Sequence, residues 1–518
     1  MAKPVPRSSS RSSSRSSSRS VSRSAPQASA GSLRGTLVLV LVLLLVGGGV
    51  ATWRYDLLDG RLDSLLGGDP AEAPSPADVA SSDPVSVAPP PGLELPEVAR
   101  PDPVAQPSST GGVLDPAAVR RALAPYLRRA DLGRHVLAQV APLGGGPAVF
   151  TAGEQPAIPA STTKLVTSTA ALLALGPDHV FTTTTVLARA RRGAPRLTLL
   201  GGGDPFLERD ALTPSGEDWP YPARADLTTL ADKTAAALRE AQVRRVRVSY
   251  DDGLFTGPAG NPTWEDDYLI DVVSPTSALW VDEGRTITRF GRVADPSAEA
   301  ASAFTTALRA AGVKVVAGPE AGIAPERVEA LAQVESAPLG EIVQRIVDVS
   351  DNEAAEVLLR HVGLAEAGAG STEAGRRGVR RVLGAEGIRL GRSRFLDGSG
   401  LSRANRAEPG LLVDVLRLAA DPSRPDLRAV IEGLPVAGFT GSLAIRMDEG
   451  PPAGLGRIRA KTGTLESVSS LAGIGTDLDG TVFVFVLMAD RIPESGSGTA
   501  RTTLDSAAAS LGACRCSP

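Results

Sequence analysis

The chain has 518 residues, enough for two to four domains at roughly 100–200 residues each. Hydrophobic residues make up 42% and charged residues 22%, which supports a buried core and excludes collagen and a wholly disordered chain. A formal net charge of -4 excludes a global polyanion-binding field, and 3 His and 2 Cys leave little for a histidine-rich metal centre or a disulfide scaffold.

Residues 1–34 are almost all small, polar or basic, with Arg7, Arg11, Arg15 and Arg19 set in Ser-rich sequence. Nothing there buries enough apolar surface to repay ordering, so a disordered basic cytoplasmic tail is expected rather than a nucleic-acid arm. Gly35 to Trp53 are uncharged and dominated by Leu and Val. As a helix this run spans roughly 28 Å, close to the hydrocarbon core of a bilayer. The basic residues precede it, so residues 35–53 are expected to be a transmembrane anchor with the rest of the chain extracytoplasmic. A cleaved signal peptide is the alternative, since Gly49 and Ala51 suit a cleavage site, but the leader before the run is long for one. Residues 54–112 form a linker, Pro-rich over 68–112, that holds a folded part away from the membrane.

The folded part is expected from Val113 to about Leu511. Val119, Leu123 and Leu127 have helical spacing. Val136–Val140 and Ala148–Thr151 read as a hairpin around a Gly turn. Ser161 to Leu175 is a helix stopped by Gly176-Pro177. Phe181–Leu187, Leu197–Leu200 and Val243–Tyr250 read as strands, with a helix over Leu227–Ala241. Leu339–Val349 and Asn352–Val362 are helices meeting at Ser350. Val468–Ile474 and Thr481–Met488 read as paired strands, and Ala500–Leu511 as a closing helix. Helices mixed with short antiparallel strands suggest an α+β arrangement or an α/β/α sandwich.

Only five residues are Lys (Lys3, Lys164, Lys233, Lys314 and Lys461), so each position is informative. Lys164 follows Ser161 by three residues, which puts a hydroxyl and an amine on one helix face. A serine needs a neighbour to take its proton, and a buried lysine can do so. The helix N-terminus also favours developing negative charge. Read alone, the pair is equally a helix cap and a surface lysine. In Ser350-Asp351-Asn352 the outer two residues are two apart, so in an extended turn they point to the same side, a hydroxyl to relay a proton and an amide to hold a carbonyl, although Ser-Asp-Asn also suits a plain helix cap. Lys461-Thr462-Gly463-Thr464 runs into an apolar strand. It offers a cation, two hydroxyls and a glycine that lets a ligand approach.

The three motifs in this order, S-x-x-K, S-D-N and K-T-G, mark penicillin-binding proteins and class A β-lactamases. The chain resembles the D-alanyl-D-alanine carboxypeptidase/endopeptidase family (low-molecular-mass class C penicillin-binding proteins, peptidase family S13) in the segments Pro159–Leu165, Gly201–Leu207, Ser350–Glu356, Asp397–Arg403 and Lys461–Leu465. The resemblance implies an α/β fold: a penicillin-binding, serine β-lactamase-like α/β/α sandwich with an antiparallel sheet. Residues 113–180 and 336–511 would form the catalytic domain, split by one inserted smaller domain, or two with one much reduced, over 181–335. It implies a serine peptidase acting on D-Ala-D-Ala stems or D,D cross-links of peptidoglycan and inhibited by β-lactams, with no cofactor and no metal. Position by position, Ser161 would be the acylated nucleophile and Lys164 its base. Ser350 would pass the proton to the leaving amine, Asn352 would orient the substrate, and Lys461 would shape the electrostatics. Thr462 and Thr464 would bind the terminal carboxylate beside Gly463, and the backbone N–H groups of Ser161 and Thr464 would form an oxyanion hole. The 186 residues from Lys164 to Ser350, and the lack of an E-x-x-L-N loop, favour this family over class A lactamases. A lactamase or esterase on the same fold, and a non-catalytic wall-binding scaffold, are the alternatives.

Other features carry less. Gly201-Gly202-Gly203-Asp204 lacks the Lys-Ser/Thr of a phosphate loop. Glu265-Asp266-Asp267 and Asp251-Asp252 read as solvated faces rather than cation sites. The histidines read as structural, Ser399 and Ser402 receive no step, and a bridge between Cys514 and Cys516 is not expected with one residue between them.

Overall fold

The computed structural model describes residues 112–188, 192–212, 221–325 and 329–518. The basic tail, the apolar run 35–53 and the linker up to residue 111 lie outside these residues. Among the described residues no helix is long and apolar enough to cross a membrane.

The chain first forms a helix, α1 (Pro116–Leu127), capped by the Asp115 side chain, which accepts from Ala117 N and Ala118 N. Strands β1 (Val136–Pro142) and β2 (Phe150–Ala152) follow and pair antiparallel. A 3-10 turn over Ala160–Thr162 then leads into α2 (Thr163–Leu175). The helix therefore begins two residues later than its apolar pattern suggests, because Ser161 belongs to the turn. The first ten residues of α2 are buried, as expected of a helix enclosed on all sides.

Residues 182–335 build a separate five-stranded sheet. Its strands are β3 (Thr182–Ala188), β4 (Arg196–Leu200), β5 (Arg245–Asp251), β6 (Lys314–Ala321) and β7 (Ala330–Glu335), in the order β6-β5-β4-β3-β7. Helices α3 (Leu227–Glu240) and α4 (Pro296–Ala310) connect β4 to β5 and β5 to β6, and both pairs are parallel. A helical crossover imposes that direction, whereas the sequence suggested only antiparallel strands. Leu230, Ala235 and Leu238 of α3 and Phe304 and Leu308 of α4 share one core with Leu197, Leu199 and Val248 of the sheet.

After β7 come four long helices, α5 (Leu339–Val349), α6 (Asn352–Ala367), α7 (Thr372–Ala385) and α8 (Pro409–Ala419), and a single helical turn at Ala429–Glu432. The chain closes with β8 (Ile458–Leu465), β9 (Val468–Thr476), β10 (Val482–Ala489) and α9 (Ser497–Gly512). The sheet order is β2-β1-β10-β9-β8, antiparallel throughout, so the first and last strands of the fold pair in its middle, with Val136 opposite Ala489. Every residue of β10 is buried. Phe483, Phe485 and Leu487 pack with Leu123, Leu504 and Leu511 on the α1–α9 side, and Val484, Val486 and Met488 pack with Val166, Leu412 and Leu416 on the other. A strand covered on both faces reads as an unbroken apolar run. The result is an α/β/α sandwich whose edge strand β8 carries Lys461 to Thr464.

Two expectations need correction. Cys514 and Cys516 are joined by a disulfide, their Cα atoms 5.3 Å apart, because the tail folds back and is held by Asp115 N on Cys516 O and Leu478 N on Cys514 O. Ser350 and Asn352 do not share an extended turn. Ser350 adopts a left-handed conformation (φ 67°) ending α5, and Asn352 is the first residue of α6.

Candidate active site

Ser161 lies at the mouth of α2, fixed by three neighbouring segments. Ala160 takes a positive φ of 46°, unusual for a residue with a Cβ. Thr162 N and Thr162 Oγ1 both donate to the Pro159 carbonyl, which also accepts from Ser470 Oγ of β9 at 2.6 Å. A Cβ on Gly463 would sit 2.6 Å from that carbonyl oxygen and 3.1 Å from Ser161 N, so β8 reaches the serine only because this position is glycine. Gly400, at φ +91°, lets a third segment press on the Ala160 carbonyl in the same way.

Lys164, the second residue of α2, is fully buried. Its Nζ lies 2.9 Å from Ser161 Oγ, 2.7 Å from Asn352 Oδ1 and 2.7 Å from the Ser399 carbonyl oxygen. Burial pulls its pKa down to about 8; Asp351, Asp397, Glu356 and Glu353 oppose the fall. Near neutrality a useful fraction is therefore the free amine, able to take the Ser161 proton. Asp351 accepts from Ala354 N and so starts α6, which sets Asn352 at the helix mouth beside Lys164. Ser350 is the hinge between α5 and α6.

Lys461 is also fully buried, and its Nζ donates to the Thr462 carbonyl at 2.9 Å. Burial lowers its pKa well below the ordinary lysine value; Lys164 and Arg446 add to the fall, and Asp348 opposes it. Thr462 Oγ1 is paired with Ser442 Oγ at 3.0 Å. Thr464 lies on the same edge strand and is exposed. The structure thus brings Ser161, Lys164, Asn352 and Gly463 into direct proximity, with Lys461 close enough to feel the charge of Lys164.

Three contributors have no signature in the motifs. Ser399 acts through its backbone: its carbonyl binds Lys164. Glu356 Oε1 accepts from Gly398 N at 2.9 Å and Ser399 N at 2.8 Å, and so fixes the loop that presents that carbonyl. Asp397, 1% exposed, gathers Gly400 N, Ser402 N, Asn405 Nδ2 and Trp264 Nε1. Glu356 closes the family-like segment Ser350–Glu356 and stands one turn after Asn352 on the same helix, but neither signal assigns it a role. The remaining features are structural. His361 stacks on Phe181 with centroids 4.1 Å apart, and the Asp204 side chain caps Phe206 N at 2.8 Å.

The model of the D-Ala-D-Ala carboxypeptidase 3 (S13) family matches residues 119–292 and 287–511. The chain belongs to that family. Carboxypeptidase DacB of Mycolicibacterium smegmatis is 33% identical over 412 residues, 76% of this chain and 84% of that protein. A carboxypeptidase of Mycobacterium tuberculosis is 31% identical over 440 residues, 82% of this chain and 89% of the other. The crystal structure of penicillin binding protein 4 (dacB) from Haemophilus influenzae superposes with a TM-score of 0.63 at 21% identity, over 77% of this chain and 98% of that one. That likeness shows that the two chains share their fold. As an S13 family member, the protein is a serine-type D-Ala-D-Ala carboxypeptidase rather than a scaffold.

Proposed function

We propose that Ser161 carries the acyl group in cleavage of D-Ala-D-Ala bonds, or D,D cross-links, of peptidoglycan peptides. The observation that supports this is the buried Lys164 amine, 2.9 Å from Ser161 Oγ. Lys164 Nζ takes the hydroxyl proton as Oγ bonds to the carbonyl carbon of the penultimate D-Ala. The backbone N–H groups of Ser161 and Thr464 receive the oxyanion. Ser350 passes a proton to the departing amine of the terminal D-Ala, and the C–N bond breaks. Water then cleaves the Ser161 ester and restores the hydroxyl. Asn352 holds the peptide backbone, and Thr462 and Thr464, with Lys461 behind them, hold the terminal carboxylate. Penicillin enters the same path and stops at the ester.

A peptide of the class x-D-Ala-D-Ala tests the chemistry: the native protein should release D-Ala, and Ser161→Ala and Lys164→Gln should not. Release at an undiminished rate by either variant would refute the assignment. We further infer that residues 35–53 anchor the enzyme and leave its catalytic part extracytoplasmic. The uncharged run with basic residues before it supports this. Full-length protein should follow the membrane fraction through a high-salt wash; recovery in the soluble fraction would contradict it.

A further inference from the structure

Besides Ser161, Lys164 Nζ is held by Asn352 Oδ1, which belongs to α6, and by the Ser399 carbonyl, which belongs to the loop between α7 and α8. A reacting group stays in place only if the groups that hold it are themselves held. Segment 255–264, which follows β5 in the sheet of residues 182–335, is bound to both. At its start, the buried Arg360 of α6 donates Nη1 to the Thr256 carbonyl at 2.9 Å and Nη2 to the Pro258 carbonyl. At its end it grips the loop that faces the lysine. Asn261 Nδ2 donates to the Leu396 carbonyl at 2.6 Å, Thr263 Oγ1 lies 2.7 Å from Ser402 Oγ, and Trp264 Nε1 donates to Asp397 Oδ2 at 2.9 Å.

These contacts bracket the carbonyl that holds Lys164, since Asp397 and Ser402 stand on either side of Ser399. A buried carboxylate with its oxygens fully hydrogen-bonded fixes the groups around it, because leaving one unpaired is costly. Asp397 Oδ1 accepts from Gly400 N and Asn405 Nδ2, and Oδ2 accepts from Ser402 N and Trp264 Nε1. Of these donors the indole alone comes from outside the loop. The ring is half-buried, and its N–H needs a partner where water has poor access.

We propose that segment 255–264 is a strap that positions the general base, with Trp264, acting through Asp397, keeping the Ser399 carbonyl on Lys164. The proposal rests on the reading of Lys164 as the base for Ser161. It makes Trp264, Thr263 and Asn261 positioning residues, and gives the segment between the halves of the catalytic sheet a part in acylation.

The test follows acylation of the full-length protein by penicillin in stopped flow. The total penicillin bound on Ser161 counts the folded sites, so any loss of folded protein cancels. Trp264→Phe keeps the ring and removes the donor. At saturating penicillin its acylation should slow about tenfold, given that misplacement by 1 Å costs about a hundredfold, while the half-saturating concentration stays the same. The pH midpoint should also fall, because a carbonyl accepting from the ammonium favours the charged form and its loosening withdraws that support. The other charges facing Lys164 remain: Asp351, Glu353 and Glu356 from α6 and its cap, Asp397 from the loop, and Lys461 from β8. Asn261→Ala/Trp264→Phe should be slower still. Leu308→Ala, in the core against the sheet of residues 182–335, should lower Tm and leave rate and midpoint alone. Rate and midpoint unchanged in the double variant, or the same slowing in Leu308→Ala, would overturn the proposal. So would a change confined to the half-saturating concentration, which would make Trp264 a substrate contact. Failure of the native protein to take penicillin on Ser161 would sink the parent reading instead, and this one with it.

Discussion

Lys164 must lose a proton before it can accept one from Ser161. Below about pH 8 the amine is protonated and the base is unavailable; above it the base is free. The rate of acylation by penicillin should therefore rise about tenfold per pH unit up to that point and then level, as expected for a single titrating base. A profile flat from pH 6 to 9 would show that another group takes the proton. Glu356 raises the Lys164 pKa by its charge, and its own carboxyl is pushed up to about 7 by burial and then by Asp397. At pH 8 it is mostly ionised. Glu356→Gln removes that charge, so the midpoint of the profile should move to lower pH; a midpoint that stays or rises would contradict its part in tuning the lysine. Only some of this was legible. Side-chain spacing exposes the Ser161–Lys164 pair, but a backbone carbonyl such as that of Ser399 leaves no residue signature, and a buried Glu on a helix looks like any other.

Close approach between elements sets the geometry around the serine. Strand β8 meets the Ser161 turn at Gly463, where a Cβ would lie 2.6 Å from the Pro159 carbonyl. Gly463→Ala must push β8 away from the turn by a sizeable fraction of an ångström. Misplacement on the 1 Å scale costs about a hundredfold in rate, so stopped-flow acylation should slow by roughly that factor. An unchanged rate would mean that the strand and the nucleophile are not coupled. The same physics explains which elements could be read. Helix α2 and strand β10 announce themselves through unbroken apolar character. Helix α7 does not, for its Gly375 and Gly378 look like helix breakers. They are there because α7 lies against α6: a Cβ on Gly375 would stand 2.7 Å from Leu359 Cγ, and one on Gly378 2.8 Å from Val362 Cγ1. The positive φ at Ala160 was equally hidden, since nothing in an alanine advertises it.

At the scale of the molecule, the parts that matter come from distant points in the chain. The pairing of β1 with β10 joins residues some 350 positions apart, which no local pattern reveals. The loop preceding α4 is tied to the catalytic helices by Arg292 and Glu353, whose side chains are 6% and 3% exposed. Burial raises the Glu353 pKa although Arg292 opposes it, so desolvation outweighs the attraction. Breaking the pair from one side should nevertheless be costly. Arg292→Ala strands a buried carboxylate and should lower unfolding stability in urea by about 3–5 kcal/mol, with much of the loss recovered in Arg292→Ala/Glu353→Gln. A loss below about 1 kcal/mol would contradict this, because it is the level of an exposed pair.

The claim on which the rest depends is that Ser161 forms an acyl-enzyme. Intact mass after incubating the protein with penicillin, beside Ser161→Ala, tests it most directly. A stable gain of one penicillin in the native chain, absent from the variant, is the predicted result. An equal gain in Ser161→Ala, or no gain while penicillin stays intact, would contradict it. No gain while penicillin is consumed would contradict the stable ester and point to a lactamase on the same fold.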